Sequence, residues 1–226
     1  MKIVKLALLP LAVAALAGSA IAQQQAQPGQ QPQPPPQPMS FFVTSVGKGD
    51  GANLGGLAGA DAHCQTLAAA AGRGNVTWHA YMSAGAQGAN GVTHARDRIG
   101  RGPWFNAKGA LIASNVDDLH QDRNNIRKPT ALNEKGEEVN GVGNTPNTHD
   151  MLTGSDSTGR LVPGNVALTT CNNWTSNKDG NAMLGHHDRL GGPNASWNSV
   201  HSSRSCSQAD LVATGGAGLF YCFAVQ

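Results

Sequence analysis

Four cysteines constrain the fold of this 226-residue chain more than any other feature: Cys64, Cys171, Cys206 and Cys222. Residues 1–22 have the pattern of a secretory signal peptide, with a positively charged start, an apolar run and a small-residue cleavage site. Because exported proteins fold in an oxidising compartment, an even number of cysteines predicts two disulfides. The spacing leaves all three pairings open, and it contains no CxxC pair of the kind found in zinc or redox motifs.

The rest of the chain divides into a leader and one domain. Residues 23–40 are rich in Gln and Pro, a composition that favours extended polyproline structure and predicts a linker. Residues 41–226 have a globular composition and are predicted to form a single domain. After residue 22 no apolar run is long enough for a transmembrane helix, so we expect no membrane-spanning segment in the mature chain.

The charge balance excludes one class of partner. The chain has 16 Lys and Arg against 14 Asp and Glu, and the loss of Lys2 and Lys5 with the signal peptide would make it neutral. Proteins that bind nucleic acid through bulk charge need a basic excess, so we expect no nucleic-acid partner. Only 13% of the residues are charged and 29 are glycine, which indicates a loop-rich domain with a lean core.

Hydrophobic periodicity gives a coarse secondary structure. It predicts strands over 41–46, 77–83 and 219–225, helices over 57–71 and 93–99, and mostly loop over 114–160. Within the first helix, Cys64 shares a face with Ala60 and Ala68 and is expected to point inward, and Gly72 supplies the stop.

Nine short motifs occur in order along the chain. They are Gly59–Gln65, Trp78–Ser83, Ala95–Arg98, Asn106–Ile112, Thr153–Asp156, Gly159–Leu161, Cys171–Trp174, Ser205–Ser207 and Leu219–Phe223. Over residues 41–226 this order, with all four cysteines in register, resembles endostatin, a domain of the C-type-lectin-like fold class. The resemblance implies an α+β fold with a mixed sheet, two helices and long loops. It also implies two nested disulfides, Cys64–Cys222 and Cys171–Cys206.

Two departures limit the functions that this resemblance implies. Endostatin holds zinc largely through histidines near the N-terminus of the domain, whereas that stretch is here the linker 23–40, which has no histidine. Calcium-dependent lectins of this fold class use a Glu-Pro-Asn or Gln-Pro-Asp loop and a Trp-Asn-Asp strand. Residues 192–194 are Gly-Pro-Asn and residues 197–199 are Trp-Asn-Ser. Both acids that would hold a hard cation are missing, so we do not expect the usual calcium-dependent sugar site.

Aromatic and amide side chains on the polar loops near Cys171 and Cys206 form the candidate ligand site: Asn173, Trp174, Asn194, Trp197 and Asn198. An aromatic face can stack on a pyranose ring while amides bind its hydroxyls, as in other small-molecule sites. The alternative is that both tryptophans pack a long loop region against the core, which is the commoner role of large aromatic side chains.

Two further clusters suggest metal sites as alternatives to a cofactor-free domain. His186, His187 and Asp188 could provide ligands that His201 or Asp179 would complete, but adjacent residues of an extended segment point apart. Asp117, Asp118 and Asp122 could hold calcium. The simpler interpretation of this acidic run is a solvated helix start whose carboxylates accept free N–H groups.

Catalysis has little support in the sequence. The segment Gly154–Gly159 is not the GxSxG nucleophile elbow and suits tight turns instead. We therefore expect an exported, non-catalytic recognition module that binds carbohydrate or another extracellular polymer, located in the periplasm, at the cell surface or outside the cell. The alternatives are a structural or protein-binding module of the cell envelope and an exported hydrolase that uses His187 or His201.

Overall fold

The fold of residues 35–89, 91–190 and 195–225, the part that this computed structural model describes, mixes helices with several small sheets. The helices are α1 Gly56–Ala70, α2 Ala95–Arg98, α3 Val116–Leu119, α4 Val166–Thr169, α5 Cys171–Trp174 and α6 Gln208–Ala213. The strands are β1 Phe41–Val43, β2 Trp78–Ala80, β3 Trp104–Phe105, β4 Leu111–Ala113, β5 Asp150–Leu152, β6 Met183–His186, β7 His201–Ser202, β8 Gly216–Leu219 and β9 Tyr221–Ala224. The predicted α+β class is confirmed.

Some predictions concern residues outside this range. The signal peptide predicted over 1–22, most of the linker predicted over 23–40 and the candidate residue Asn194 lie outside the described residues. The last two residues of the predicted linker pack into the domain. Met39 is buried, and Ser40 exchanges hydrogen bonds with Phe105 and accepts one from Ala224.

An antiparallel sheet in the order β1-β9-β2 separates two hydrophobic cores. Phe42, Trp78 and Cys222 face the first core, whereas Phe41 and Phe223 face the second. Because both faces are covered, these strands are nearly continuous apolar runs without the polar alternation of a half-exposed sheet. The predicted strands over 41–46, 77–83 and 219–225 are therefore confirmed in shorter form.

Helix α1 confirms the helix predicted over 57–71. Its buried residues are Ala60, Cys64 and Ala68, which recur every four positions and form the face toward the first core. Gly72 follows the helix with a φ of 76°, a left-handed conformation that glycine adopts without strain. The buried face places Cys64 directly against β9.

Both disulfides have the pairing that the resemblance implied. Cys64–Cys222 links α1 to the central strand β9, and Cys171–Cys206 links α5 to the turn before α6. The shorter loop lies inside the longer one in sequence, so the nested arrangement is confirmed. All four cysteines are thereby used.

A second sheet, in the order β7-β6-β5-β8, brings polar residues together. Strand β5 is antiparallel to β6 and parallel to β8, so the sheet is mixed. Asp150 on β5 lies directly opposite His186 on β6, and His201 on β7 lies opposite Leu184. His201 is therefore the diagonal cross-strand neighbour of His186.

The helix count differs from the implied one. The described residues contain six helices where the resemblance implied two, because α2, α3, α4 and α5 are single turns of four residues. Two of the elements, α3 and β5, lie in the stretch 114–160 that was predicted as mostly loop. No helix among the described residues is both long and apolar enough to cross a membrane.

Candidate functional site

Trp174 and Asn173, two of the predicted ligand residues, are core residues. Trp174 is 0% exposed, and its indole N–H donates to the Ser83 carbonyl at 2.9 Å. The Asn173 side-chain oxygen accepts the Gly85 backbone N–H at 2.7 Å. Both polar groups are therefore committed to the chain itself, and Trp174 has no face to offer a ligand.

The inward direction of these two residues follows from the left-handed turn of α5. Four consecutive residues from Cys171 to Trp174 have φ between 47° and 65°. Asparagine tolerates this region better than other residues with a Cβ, and two of the four are asparagine. The Cys171–Cys206 bond and the buried Trp174 ring hold the turn at its two ends.

Trp197 lies in the second core, away from the first-core cluster that contains Trp174. It is 3% exposed and packs against Tyr81 and Tyr221, with ring centres 4.6 and 5.2 Å away. Its indole N–H donates to the Leu119 carbonyl at 3.1 Å. The Asn198 amide donates to the Tyr81 hydroxyl at 2.9 Å, so this residue is also part of the scaffold.

Trp197 and Asn198 nevertheless form the inner wall of a surface cleft, which we call the Trp197 cleft. It has a volume of about 280 Å³, and its outer wall includes Gln121, Asp122, Ser157 and Arg189. Ala195 lines it as well, directly after the undescribed Asn194. The structure thus brings two of the five predicted residues to one cleft and places Asn173 and Trp174 elsewhere.

Arg189 shapes the rim of the Trp197 cleft. Its guanidinium donates to the backbone carbonyls of Ala195 and Asp122 and contacts the Asp122 carboxylate at 3.2 Å. The two opposite charges offset each other, so the rim is polar without a strong net charge. The Gln121 and Ser157 side chains are exposed, and no described residue hydrogen-bonds either of them.

The acidic run predicted as a possible calcium loop begins helix α3. Asn115 caps the helix by accepting the Asp118 backbone N–H, and the Asp118 carboxylate accepts the Ser114 N–H. That backbone hydrogen bond, with Arg123 beside it, lowers the pKa of Asp118. Asp117 pairs with Arg96, and Asp122 pairs with Arg189. The three carboxylates thus contact three different arginines, which agrees with the interpretation of this run as a solvated helix start.

The second candidate site is a cluster of His149, Asp150, His186 and His201, which we call the histidine–aspartate cluster. The Nε2 atoms of His186, His149 and His201 lie 3.0, 3.4 and 3.6 Å from Asp150 Oδ1. The Nε2 atoms of His186 and His201 are 3.1 Å apart. Three imidazole nitrogens thus surround one carboxylate oxygen.

Sequence reasoning identified His186 and His201 but missed His149 and Asp150. These two residues are adjacent in the polar stretch that was interpreted as loop. Only the pairing of β5 with β6 brings them next to His186. The expectation that His186 and His187 point apart agrees with the structure, since the His187 ring bonds to the Asn140 carbonyl. Asp179 lies exposed in another loop.

Asp188 orients the cluster from outside. Its Oδ1 lies 3.3 Å from His149 Nδ1, and its other contacts are the N–H groups of Val142 and Leu190. Burial alone would raise the pKa of Asp188, but these hydrogen bonds outweigh it and lower that pKa well below its usual range. Burial likewise lowers the pKa of His149, yet Asp188 and the nearby Asp150 charge raise it overall.

The carboxylate of Asp150 is the least satisfied group of the cluster. Asp150 is 2% exposed, and neither oxygen has a hydrogen bond of good geometry, despite the three ring nitrogens nearby. A buried carboxylate without partners is costly unless a positive charge accompanies it. The cluster can therefore hold either protons or a metal cation.

The chain matches no protein-family model and no curated protein with which it was compared.

Proposed function

We propose that this chain is an exported, non-catalytic recognition module that binds neutral carbohydrate in the Trp197 cleft. The observation that carries the proposal is the composition of that cleft, in which amide, hydroxyl and guanidinium groups surround the small exposed part of the rigidly held Trp197 side chain. Small-molecule sites commonly combine an apolar surface with a few fixed polar groups that orient the ligand.

The size and charge of the cleft favour a neutral, compact ligand. A volume of about 280 Å³ is at the lower end of small-molecule sites, so it fits about one sugar ring. The guanidinium of Arg189 is neutralised by Asp122, which leaves no reason to prefer an anion. Gln121 and Ser157 then supply exposed polar groups for sugar hydroxyls.

The remaining parts of the proposal rest on the whole chain. The motif order over residues 41–226 supports a C-type-lectin-like architecture, and two disulfides support folding in an exported compartment. Asp117, Asp118 and Asp122 each form an ion pair with a different arginine, which supports binding that needs no calcium. Partners are thus glycans or related polymers of the periplasm, the cell surface or the surrounding medium.

A glycan array with the purified protein, run with and without the calcium chelator EGTA, tests the proposal. We expect signals that EGTA does not change. Ser157→Tyr, which fills the cleft from an exposed position, should abolish them. Gln121→Ala should weaken them about tenfold, the effect of losing one hydrogen bond of about 1.4 kcal/mol.

Gln87→Ala is the matched control, because Gln87 is an exposed glutamine that does not line the Trp197 cleft. It should bind as the wild type does. An array without signals, or signals that persist in Ser157→Tyr, would overturn the proposal and favour a protein-binding role.

A further inference from the structure

We propose that the histidine–aspartate cluster is a binding site for a divalent transition-metal ion of the zinc class. The ligand atoms are Nε2 of His149, His186 and His201 and Oδ1 of Asp150. The inference is independent of the carbohydrate proposal, because none of these four residues lines the Trp197 cleft.

The spacing of the His149, Asp150 and His186 ligand atoms fits one metal ion, because all three lie within 4.8 Å of one another. His201 Nε2 lies beside two of them, Asp150 Oδ1 and His186 Nε2. In a tetrahedral zinc site with bonds of 2.0–2.2 Å, neighbouring ligand atoms lie about 3.3 Å apart. The measured separations from Asp150 Oδ1 are 3.0, 3.4 and 3.6 Å, and the separation between the His186 and His201 nitrogens is 3.1 Å. These four distances lie on both sides of the tetrahedral value. His201 is outside the group of atoms that all lie within 4.8 Å of one another, so the His149 and His201 nitrogens must come closer together when an ion binds.

The tautomers of two histidines direct lone pairs to the centre. The Ser202 carbonyl, 3.1 Å from His201 Nδ1, can only accept a hydrogen bond, so Nδ1 carries the hydrogen. The Asp188 carboxylate fixes His149 in the same way. Each Nε2 is then free to bind a metal, and carboxylate–histidine–metal triads of this kind are typical of zinc sites.

A metal ion also accounts for the unpaired carboxylate of Asp150. The rings of His149 and His186 are stacked with centres 3.9 Å apart, so a proton on both would place two like charges in contact. One divalent cation neutralises Asp150 without that repulsion.

Binding requires a second adjustment. Two imidazoles on one tetrahedral ion have ring centres about 5 Å apart. The His186–His201 pair already has this separation, at 5.1 Å. The His149 ring must therefore tilt away from His186 when the ion enters.

The donor set and the access route indicate the class of metal. Three imidazoles with one carboxylate suit Zn²⁺, Co²⁺, Ni²⁺ or Cu²⁺, whereas Ca²⁺ and Mg²⁺ prefer sets made only of oxygen. His149, Asp150 and His186 are buried, but the His201 side chain is 43% exposed on strand β7. His201 thus closes the site from the solvent side.

Calorimetric titration of the chelator-treated full chain with Zn²⁺ tests this site, with visible absorption of the Co²⁺ form as a second readout. We expect one ion per chain and the intense absorption of tetrahedral Co²⁺. Asp188→Asn should weaken Zn²⁺ binding about 10–100-fold, as other outer-shell changes do. His186→Gln and His201→Gln should weaken it more.

Asp150→Asn separates metal binding from folding. It removes a buried unpaired charge, so the chelator-treated variant should melt at or above the wild-type temperature while its Zn²⁺ affinity is lost. His63→Gln on α1 is the control and should bind Zn²⁺ normally. If the wild type binds no Zn²⁺, or if Asp150→Asn and His186→Gln bind it with wild-type affinity, the site does not exist.

One measurement needs no variant. In the histidine nitrogen NMR spectrum of the wild type, Zn²⁺ should shift the Nε2 signals of three histidines at one equivalent. Shifts confined to other histidines, such as His63, would overturn the assignment.

Discussion

The hydroxyl of Tyr221 donates a 2.7 Å hydrogen bond to the backbone carbonyl of Trp197. Tyr221 begins β9, the central strand of the first sheet, and the next residue is Cys222, which is bonded to Cys64 on α1. On the other side, Gly185 of β6 lies so close to the Trp197 carbonyl that a side chain there would clash. The inner wall of the Trp197 cleft is thus hydrogen-bonded to the central strand of the first sheet and packed against β6 of the second.

The first prediction concerns this wall. Trp197→Ala should lower the free energy of unfolding by about 3–5 kcal/mol, because it leaves a cavity in the second core. Tyr221→Phe should cost about 1–3 kcal/mol through the unpaired Trp197 carbonyl. Urea unfolding measures both. Wild-type stability of Trp197→Ala would show that the ring is not buried, and a large loss makes this variant unsuitable as a binding probe.

The second prediction concerns the disulfides. The loops closed by Cys64–Cys222 and Cys171–Cys206 span 158 and 35 residues. In the chain-entropy picture these bonds stabilise the fold by about 5 and about 4 kcal/mol. The paired alanine variants should lose about these amounts in urea unfolding, the longer loop losing more. Peptide mapping without reduction should recover the same two pairs, and a Cys64–Cys171 peptide would contradict the fold.

The third prediction concerns an ion pair beside the first sheet. Arg98 contacts both oxygens of Asp61, at 2.6 and 3.1 Å, and Asp61 also accepts the Ala80 N–H. Asp61→Ala removes the carboxylate partner of the mostly buried guanidinium, which keeps only the Ala80 carbonyl, and leaves the Ala80 N–H unpaired, so it should cost about 3 kcal/mol. The exposed Asp179→Ala should cost less than about 0.5 kcal/mol in the same thermal or urea unfolding experiment. Equal stability of the two variants would contradict the paired geometry.

How much of this arrangement the sequence predicts depends on the range of the interaction. Helix α1 was predictable because Ala60, Cys64 and Ala68 repeat at helical spacing and Gly72 ends the helix. The β5–β6 pairing was not, since Asp150 and His186 are distant in sequence and become neighbours only through their register. The histidine–aspartate cluster therefore could not be predicted without the strand pairing of the folded chain.

The tryptophans show a second reason why part of the site was not predictable. Polar neighbours made Trp174 and Trp197 look like members of one exposed platform. The direction of Trp174 is set by the left-handed turn of α5, which two adjacent asparagines permit but do not require. The two rings consequently lie in different cores.

The fourth prediction tests that turn. Asn172 is exposed and has a φ of 55° and a ψ of 53°. Glycine adopts this conformation freely, whereas the Cβ of alanine comes too close to the following carbonyl oxygen. Asn172→Gly should therefore be about 1 kcal/mol more stable than Asn172→Ala. Both variants lose the same side-chain hydrogen bond to Thr175, and their difference in urea unfolding therefore isolates the backbone. Equal stabilities would contradict the left-handed geometry.

The fifth prediction concerns pH and His120, whose ring contacts both Tyr81 and Trp197. Its Nδ1–H donates to the Val116 carbonyl at 2.7 Å, which leaves Nε2 to accept the Tyr81 hydroxyl at 2.7 Å. Burial lowers the pKa of His120, and this outweighs the net effect of the backbone contact and of the charges on Arg96, Asp117 and Asp156. The folded state therefore resists a proton that the unfolded state accepts near the ordinary histidine pKa of about 6.5.

It follows that His120 destabilises the fold as the pH falls below about 6.5 and has no such effect above it. His120→Gln removes this contribution, so its free energy of unfolding should fall less than that of the wild type between pH 7 and pH 5. Gln87→Ala, which changes an exposed side chain that does not titrate, serves as the control and should follow the wild-type pH dependence. Urea unfolding at several pH values gives the free energy of unfolding for all three proteins. If this free energy fell more steeply toward acid pH in His120→Gln than in the wild type, the folded state would bind the proton more tightly than the unfolded chain does.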